Sequence, residues 1–369
     1  MYQPGKMGMA EGLSLVFIIT FVPVFLSVWS VTVDRNTSAT WIVSVINGLL
    51  AMAVSLGVLW VLQRYSLDYL DVCEYFFGKT SMWIIGMIYA IQFLSEAIFL
   101  LREFSENTLL TALPTADFSF IIFIFIGVTL LLIFLGIESI ARTSYIILPF
   151  ISLSLVLIAI LLSNKFVFLH IAPWLGPGIT KLLISGVEVS GFNFGLLLIP
   201  LLGYSFQNTS SMKRACIFGF GLSMVFRITM VLTYLFTFGS TVGREKVLPF
   251  FEMTRLVSVS PYLQRIEALF IIIWVMAGVL AIAINLYVSM IIMARLFRLP
   301  NIKPMFIPLG LVVAEIAMIP EDITTVITTH SKAMATIYNI GAVGIPLLII
   351  LTALLKGEHG KRCSNGEIL

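Results

Sequence analysis

Apolar runs of about 17–25 residues, each the length an α-helix needs to cross the hydrocarbon core, follow one another along this chain with little polar sequence between them. Ten such runs are predicted as spans, centred on residues 12–31, 41–62, 82–110, 117–136, 144–163, 186–204, 215–238, 266–292, 305–319 and 335–355. The repetition leaves few folds open. In lipid every backbone polar group must be bonded internally, which a helix does within one segment. Burial inside a soluble domain is excluded by composition. Hydrophobic residues make up 59% of the chain and mean hydropathy is +1.06, against roughly 45–50% apolar content in soluble domains. The expectation is an all-α integral membrane protein, with 1–369 as one transmembrane domain and 356–369 as a short tail.

The run at 13–31 exceeds the about 7–15 apolar residues of a signal-peptide core and is read as a first span that stays. Ten spans put both ends on one side. Arg64, Lys79, Lys213, Arg214, Arg295, Arg298 and Lys303 fall on that side, so both termini are expected in the cytoplasm. With 22 basic against 19 acidic residues, no nucleic-acid partner is expected. Cys73, Cys216 and Cys363 are scattered, without disulfide or metal-ligand spacing. His170, His330 and His359 fall in predicted loops and are read as wet surface histidines rather than metal ligands. No nucleophile–base pair, metal cluster or phosphate loop is seen, so neither an enzyme nor a bound cofactor is expected.

The first and sixth spans differ from the rest. The first, VFIITFVPVFLSVWSV, has Pro23 near its middle and Thr20 one turn earlier; proline removes a backbone donor and clashes with the preceding turn. The sixth, ISGVEVSGFNFGLLLIPLLG, carries Gly186, Gly191, Gly195 and Pro200, with Glu188, Ser190 and Asn193 among them. Each opens one of two five-span halves, about 1–163 and 164–355. Paired interruptions at corresponding positions point to an inverted-repeat transporter with its site at the midplane. The plainer alternative is that the glycines allow close helix packing and Pro23 merely bends its helix.

The third span contains FLSEAIFLLREFSENTLL. Counted from Trp83, Arg102 lies about 28 Å along the axis, which predicts Arg102, Glu103 and Glu106 near the outer interface. Arg102 and Glu106 can pair at i, i+4. Glu96, at about 20 Å, should face protein or a water-filled cavity. Arg227, at similar depth in the seventh span, is expected to pair with an intramembrane acid such as Glu96 or Glu188. Glu138 and Arg142 share an i, i+4 spacing at a short turn. Arg265 and Glu267 open the eighth span as an interfacial anchor or partner contact.

Three runs together, LREFSENTLLTALPTADF, then LGIESIARTSYIILPF at 135–150 and QRIEALFIIIWVMAGVLAIAINLYV at 264–288, resemble the spore germination permease-like family. Its members are the B subunits of nutrient germinant receptors, within the amino acid–polyamine–organocation superfamily. The resemblance implies a LeuT-like fold of two inverted five-helix repeats with helices one and six broken. It implies an inner spore membrane location, an A-type membrane subunit and a C-type lipoprotein as partners, and a small germinant such as an amino acid. Carried onto this chain, the implied pocket is Thr20, Val22 and Pro23 with Ser190, Gly191, Phe192 and Asn193, and Glu96 as a polar wall. The sequence departs from that pattern where TFVPVF replaces a glycine-rich break, and where a glutamate common near Phe194 is absent. A stand-alone, ion-coupled amino-acid transporter is the other function such a fold allows.

Overall fold

In the computed structural model, residues 5–26, 28–246, 248–257 and 267–356 are described. Among them every regular element is helical, apart from one isolated bridge between Met7 and Phe206. The first span is α1 (Met9–Phe21), a 3₁₀ turn (Val22–Phe25) and α2 (Val28–Asn36). There follow α3 (Thr40–Tyr65), the short α4 (Tyr69–Phe77), α5 (Lys79–Thr111), α6 (Phe118–Phe134) and α7 (Ile137–Leu162). The second half opens on α8 (Ile179–Glu188), a 3₁₀ stretch (Val189–Leu197) and α9 (Leu198–Leu201). After it come α10 (Thr209–Gly243), α11 (Pro249–Arg255), α12 (Glu267–Leu296) and α13 (Phe306–Met318). The last span is α14 (Ile323–Ala333), π-helical turns at Met334–Tyr338 and Ile340–Gly344, and α15 (Ile345–Leu355).

Among the described residues, 7 helical stretches are long and apolar enough to cross a membrane, with α1 and α6 as shorter apolar helices. The chain is a multi-pass membrane protein. Its greasy outer faces, such as Phe120, Leu131, Phe150, Leu153 and Leu348, are exposed, as lipid-facing side chains should be. Helix association in lipid relies on close packing through small residues, and α12 shows it against α5. Ala277, Ala281 and Ala283 are fully buried, a Cβ on Gly278 would lie 2.3 Å from the Phe104 ring, and Ser289 donates to Ala90 O at 2.8 Å. On the other side of the core, α1 lies against α10 and α7. A Cβ on Gly219 of α10 would come within 2.6 Å of Leu13 O. Near its end α10 turns sharply at Gly239, whose φ of 69° only glycine adopts readily.

Four span starts need correction: the sixth begins at Ile179, not 186, and the seventh at Thr209, not 215. The fifth span begins at Ile137, not 144, and the tenth at Ile323, not 335. The fifth and tenth starts are polar, so apolarity alone passes over them, yet Glu138 pairs with Arg142 and His330 is bonded to α5. At the start of the described chain Met7 N–H donates to Ser205 O at 2.8 Å, and at the end of α12 Arg295 binds Asp71 of α4 at 2.6 Å. Lys356 sits over the Tyr75 and Phe76 rings of the same α4.

The start of α14 matters below. Asp322 caps it, Oδ1 accepting from Thr325 N–H at 2.7 Å and Oδ2 from the Thr325 hydroxyl at 2.8 Å. These bonds, the backbone one first, hold the Asp322 carboxyl below its ordinary value of 3.8. A depressed value means the cap's contribution is complete above the unfolded value and is lost as pH falls through the folded one. Asp322→Ala should therefore speed hydrogen exchange of the first α14 amides at neutral pH; equal exchange in both proteins would deny the cap a role.

Candidate functional site

Both interruptions read from the sequence are real breaks, and they meet. After Phe21 the chain cannot continue an α-helix through Pro23, and it tightens into the 3₁₀ turn that closes with Leu26 N–H donating to Pro23 O at 3.2 Å. Opposite lies Val189–Leu197, a 9-residue 3₁₀ stretch, where runs beyond about 3–4 residues are uncommon and often mark a hinge or strain. Gly195 brings the two together: a Cβ there would stand 3.2 Å from Ile19 O.

One side chain joins them. Arg227 of α10 donates through Nη1 to Asn193 Oδ1 at 2.7 Å and through Nη2 to Thr20 O. Asn193 Nδ2 donates to Asn47 Oδ1 at 3.1 Å, and Asn47 Nδ2 to Val189 O at 3.4 Å. The Thr20 hydroxyl bonds Ser223 Oγ at 2.8 Å and its own Val16 O at 2.7 Å. Thr20, Asn47, Asn193, Ser223 and Arg227 are all buried. The expected pairing of Arg227 with Glu96 or Glu188 is thus corrected. Its partners are an amide oxygen and a carbonyl, because the break in the first span leaves Thr20 O at the end of α1 for the guanidinium to take. Glu188 is exposed on α8. Among the described residues no carboxylate lies within ion-pair distance of Arg227, and its Nε has no acceptor.

The other predicted pocket residues separate. Val22 and Pro23 are buried in the core around the first break. The Ser190 hydroxyl turns back to Gly186 O at 3.0 Å. Gly191 is pressed against the last span: an added Cβ would fall 1.9 Å from Met334 O. Phe192 is half-buried against Val43, Leu182 and Val189.

Glu96 belongs to a second polar cluster. His330 places Nε2 2.9 Å from Glu96 Oε2 and Nδ1 2.6 Å from Glu103 Oε1, with Phe99 stacked on its ring at 4.6 Å. His330 and Glu103 are fully buried and Glu96 is 2% exposed. The sequence reading of His330 as a wet loop residue is overturned, and Glu103, expected near the outer interface, is fully buried within the protein. The missed signal is the seven-residue step from Glu96 to Glu103, two turns on one face of α5; with the tenth span started too late, no partner came into view. Arg102 and Glu106 do face each other at 2.8 Å, with Arg102 over the Phe118 ring at 4.3 Å. An aromatic chain links the clusters: Phe194 lies 4.5 Å from Phe93 and 4.9 Å from Tyr338.

At the start of α7, Arg142 Nη2 lies 3.4 Å from Glu138 Oε2, and its Nε 3.5 Å from Glu11. Lys6 N–H donates to Glu138 at 3.0 Å. The Glu267 side chain and Arg265 lie outside the described residues. Two recesses stand apart from both polar clusters. One, of about 280 Å³, is an apolar crevice between α6, α7 and α12 lined by residues such as Phe125, Leu132 and Val279. The other is lined by Phe250, Phe270 and Trp274 among others.

Residues 6–326 match the sequence profile of a family described as Spore germination protein. A relative, Spore germination protein YndE of Bacillus subtilis (strain 168), is 21% identical over 332 residues, covering 89% of this chain and 91% of its own. Among solved structures, MHP1, a nucleobase-cation-symport-1 family transporter with bromovinylhydantoin bound, superposes with a TM-score of 0.71 at 15% identity, over 94% of this chain and 78% of that one. MhsT in complex with L-phenylalanine gives 0.66 at 15% identity, over 97% and 100%. A Na+-coupled sialic acid symporter gives 0.65 at 16%, over 97% and 85%. The fold is the LeuT-like one, with inverted five-helix repeats and broken first and sixth helices.

Proposed function

The chain belongs to the spore germination protein family, and from that premise we propose that it is the membrane subunit of a nutrient-germinant receptor. It is a permease-like membrane protein, not an enzyme. In the proposed role it recognises a small carboxylate-bearing nutrient, an amino acid or similar, between the broken helices. It then passes the change to an A-type membrane subunit and a C-type lipoprotein in the inner spore membrane, with both termini in the cytoplasm.

The observation that carries this reading is Arg227. A guanidinium buried among hydrogen-bond acceptors, with no carboxylate beside it among the described residues, is a costly arrangement unless an anion completes it. A nutrient carboxylate would supply that anion at the meeting point of both breaks. Thr20, Asn193 and Asn47 would then fix its orientation, while Ser190, Gly191 and Phe192 shape the 3₁₀ stretch around it. The centre is packed shut here, so entry requires the first and sixth spans to part. That movement is the signal.

The likeness to symporters favours a second reading, an ion-coupled transporter acting alone. Uptake assays separate the two. Proteoliposomes holding only this chain should accumulate no labelled amino acid, and spores lacking it should fail to germinate with at least one nutrient. Accumulation, or normal germination with every nutrient, would refute the receptor role. Within the receptor, Arg227→Lys keeps the charge but loses the planar fork that reaches Asn193 and Thr20 together. About a tenfold or greater rise in the nutrient concentration for half-maximal germination is expected, equivalent to 1.4 kcal/mol or more; an unchanged dose response would remove Arg227 from recognition.

A further inference from the structure

The cluster of His330, Glu96 and Glu103 is left unused by the nutrient reading. Its geometry fixes a proton count. Each ring nitrogen of His330 faces a carboxyl oxygen at hydrogen-bond distance, 2.9 Å to Glu96 and 2.6 Å to Glu103. Each contact needs one proton, so the three groups together hold at least two. With two protons, shared as imidazolium and two carboxylates or as imidazole, acid and carboxylate, the cluster carries one net negative charge.

Among the described residues, no cation other than His330 lies within ion-pair distance of Glu96 or Glu103. The elements packed most against α14 are α5, α2 and the π-helical turn that follows it, and α5 is itself packed by α4, α6, α12 and α13. The described charged groups of those four are Asp71 and Glu74 of α4, Arg295 of α12, which binds Asp71 at 2.6 Å, and the exposed Glu315 of α13. On α5, Arg102 is engaged by Glu106 at 2.8 Å. On α2, Asp34 and Arg35 are exposed, and Asp34 lies 3.8 Å from Arg244. In the π-helical turn, the neutral Tyr338 hydroxyl bonds Ser95 Oγ at 2.8 Å and also hydrogen-bonds Glu96. Glu103 Oε2 is buried without any donor. An unbalanced anion in a membrane interior is expensive. A third proton, on Glu103 Oε2, makes the cluster neutral: imidazolium, the Glu96 carboxylate and the Glu103 acid. A metal ion is not an alternative occupant, because the carboxylates bind opposite sides of the ring and share no point with it, and no metal-holding group of His, Cys, Asp or Glu occurs among the described residues.

We propose that His330, Glu96 and Glu103 form a proton-binding site within the membrane, which takes up and releases one proton at Glu103 and so controls how α14 is held on α5. In loading, a proton from water joins the carboxylate oxygen; in release it returns to water, and no electrons move. The neutral form closes the seam. The negative form weakens it, and the effect has a path to the broken sixth span. Two π-helical turns, a device frequent at functional sites, follow α14 directly, and Met334 O in the first of them is the atom against which Gly191 is packed. The proposal stands without the receptor reading, since it concerns proton binding alone.

The test is infrared difference spectroscopy of the full chain in nanodiscs of phosphatidylglycerol and phosphatidylcholine, titrated from acid to alkaline pH. The protein should show a protonated-carboxyl band that disappears as pH rises and is missing from Glu103→Gln. Persistence of every such band in Glu103→Gln, or no protonated-carboxyl band at any pH in the unaltered protein, would overturn the site. Should Glu103→Gln fail to insert, Glu103→Asp decides: a band moved in frequency or midpoint supports the site, and an unmoved set of bands overturns it. Glu106→Gln is the control, and loss of the same band there would also overturn the assignment.

Discussion

Replacing His330 with leucine should lower stability by about 3–5 kcal/mol, the range for breaking a buried ion pair by removing one partner. The imidazole is fully buried and is the hydrogen-bond partner of both Glu96 and Glu103. Without it two carboxyl groups face an apolar cavity, and α14 loses its polar attachment to α5. Restoring polarity alone does not repair this, because glutamine cannot donate from opposite sides of a ring. Replacing all three residues with apolar side chains of similar volume should recover most of the loss, since the penalty comes from stranded polar groups rather than a missing attraction. The unfolding midpoint of the purified chain in detergent measures both. Equal midpoints for the unaltered protein and His330→Leu would mean that the contacts hold nothing together.

A methyl group on Gly191 should cost about 1–3 kcal/mol or more, the scale of overpacking. Its added carbon would stand 1.9 Å from Met334 O, 2.9 Å from Met334 C and 3.0 Å from Asn339 N. Backbone atoms on the neighbouring span cannot swing aside as a side-chain tip can, so the sixth and tenth spans must separate. Gly221→Ala gives the opposite sign. It lies within α10 with nothing inside 4 Å of the new carbon, and replacing glycine by alanine in a helix gains about 0.5–1 kcal/mol. Midpoints shifted down for Gly191→Ala and level or up for Gly221→Ala are expected. A tolerated Gly191→Ala would show that the contact is loose, and that the glycine serves ligand access instead.

Much of this architecture could be read from the residues. Span length and apolarity are local properties, and Pro23 acts on its own turn, so the first break needed no tertiary knowledge. The glycines of the sixth span marked a break, but not what each glycine was for: Gly195 admits the first span and Gly191 admits the tenth, which depends on neighbours that only the fold supplies. The polar centre was half visible. Thr20, Asn193 and Arg227 stood out as polar residues at membrane depth, whereas Asn47, in an otherwise plain second span, passed without notice. Charge matching misleads here, since opposite charges at similar depth suggest Arg227 with Glu96 or Glu188. The chain solves the two problems separately, giving the arginine to freed backbone and an amide, and the glutamates to a histidine. That histidine was hidden because its polar turn, ITTVITTHSKA, does not look like a membrane helix; three buried contacts make it one.

The most direct measurement is ligand-induced thermal stabilisation of the full chain, with amino acids tested beside their uncharged amides, in the unaltered protein and in Arg227→Gln. A ligand binding only the folded state at a hundred times its Kd adds about 2.7 kcal/mol of stability. If the broken helices close on a carboxylate, at least one amino acid raises the midpoint, its amide does not, and Arg227→Gln abolishes the shift. Stabilisation by acid and amide alike, undiminished in Arg227→Gln, would contradict it.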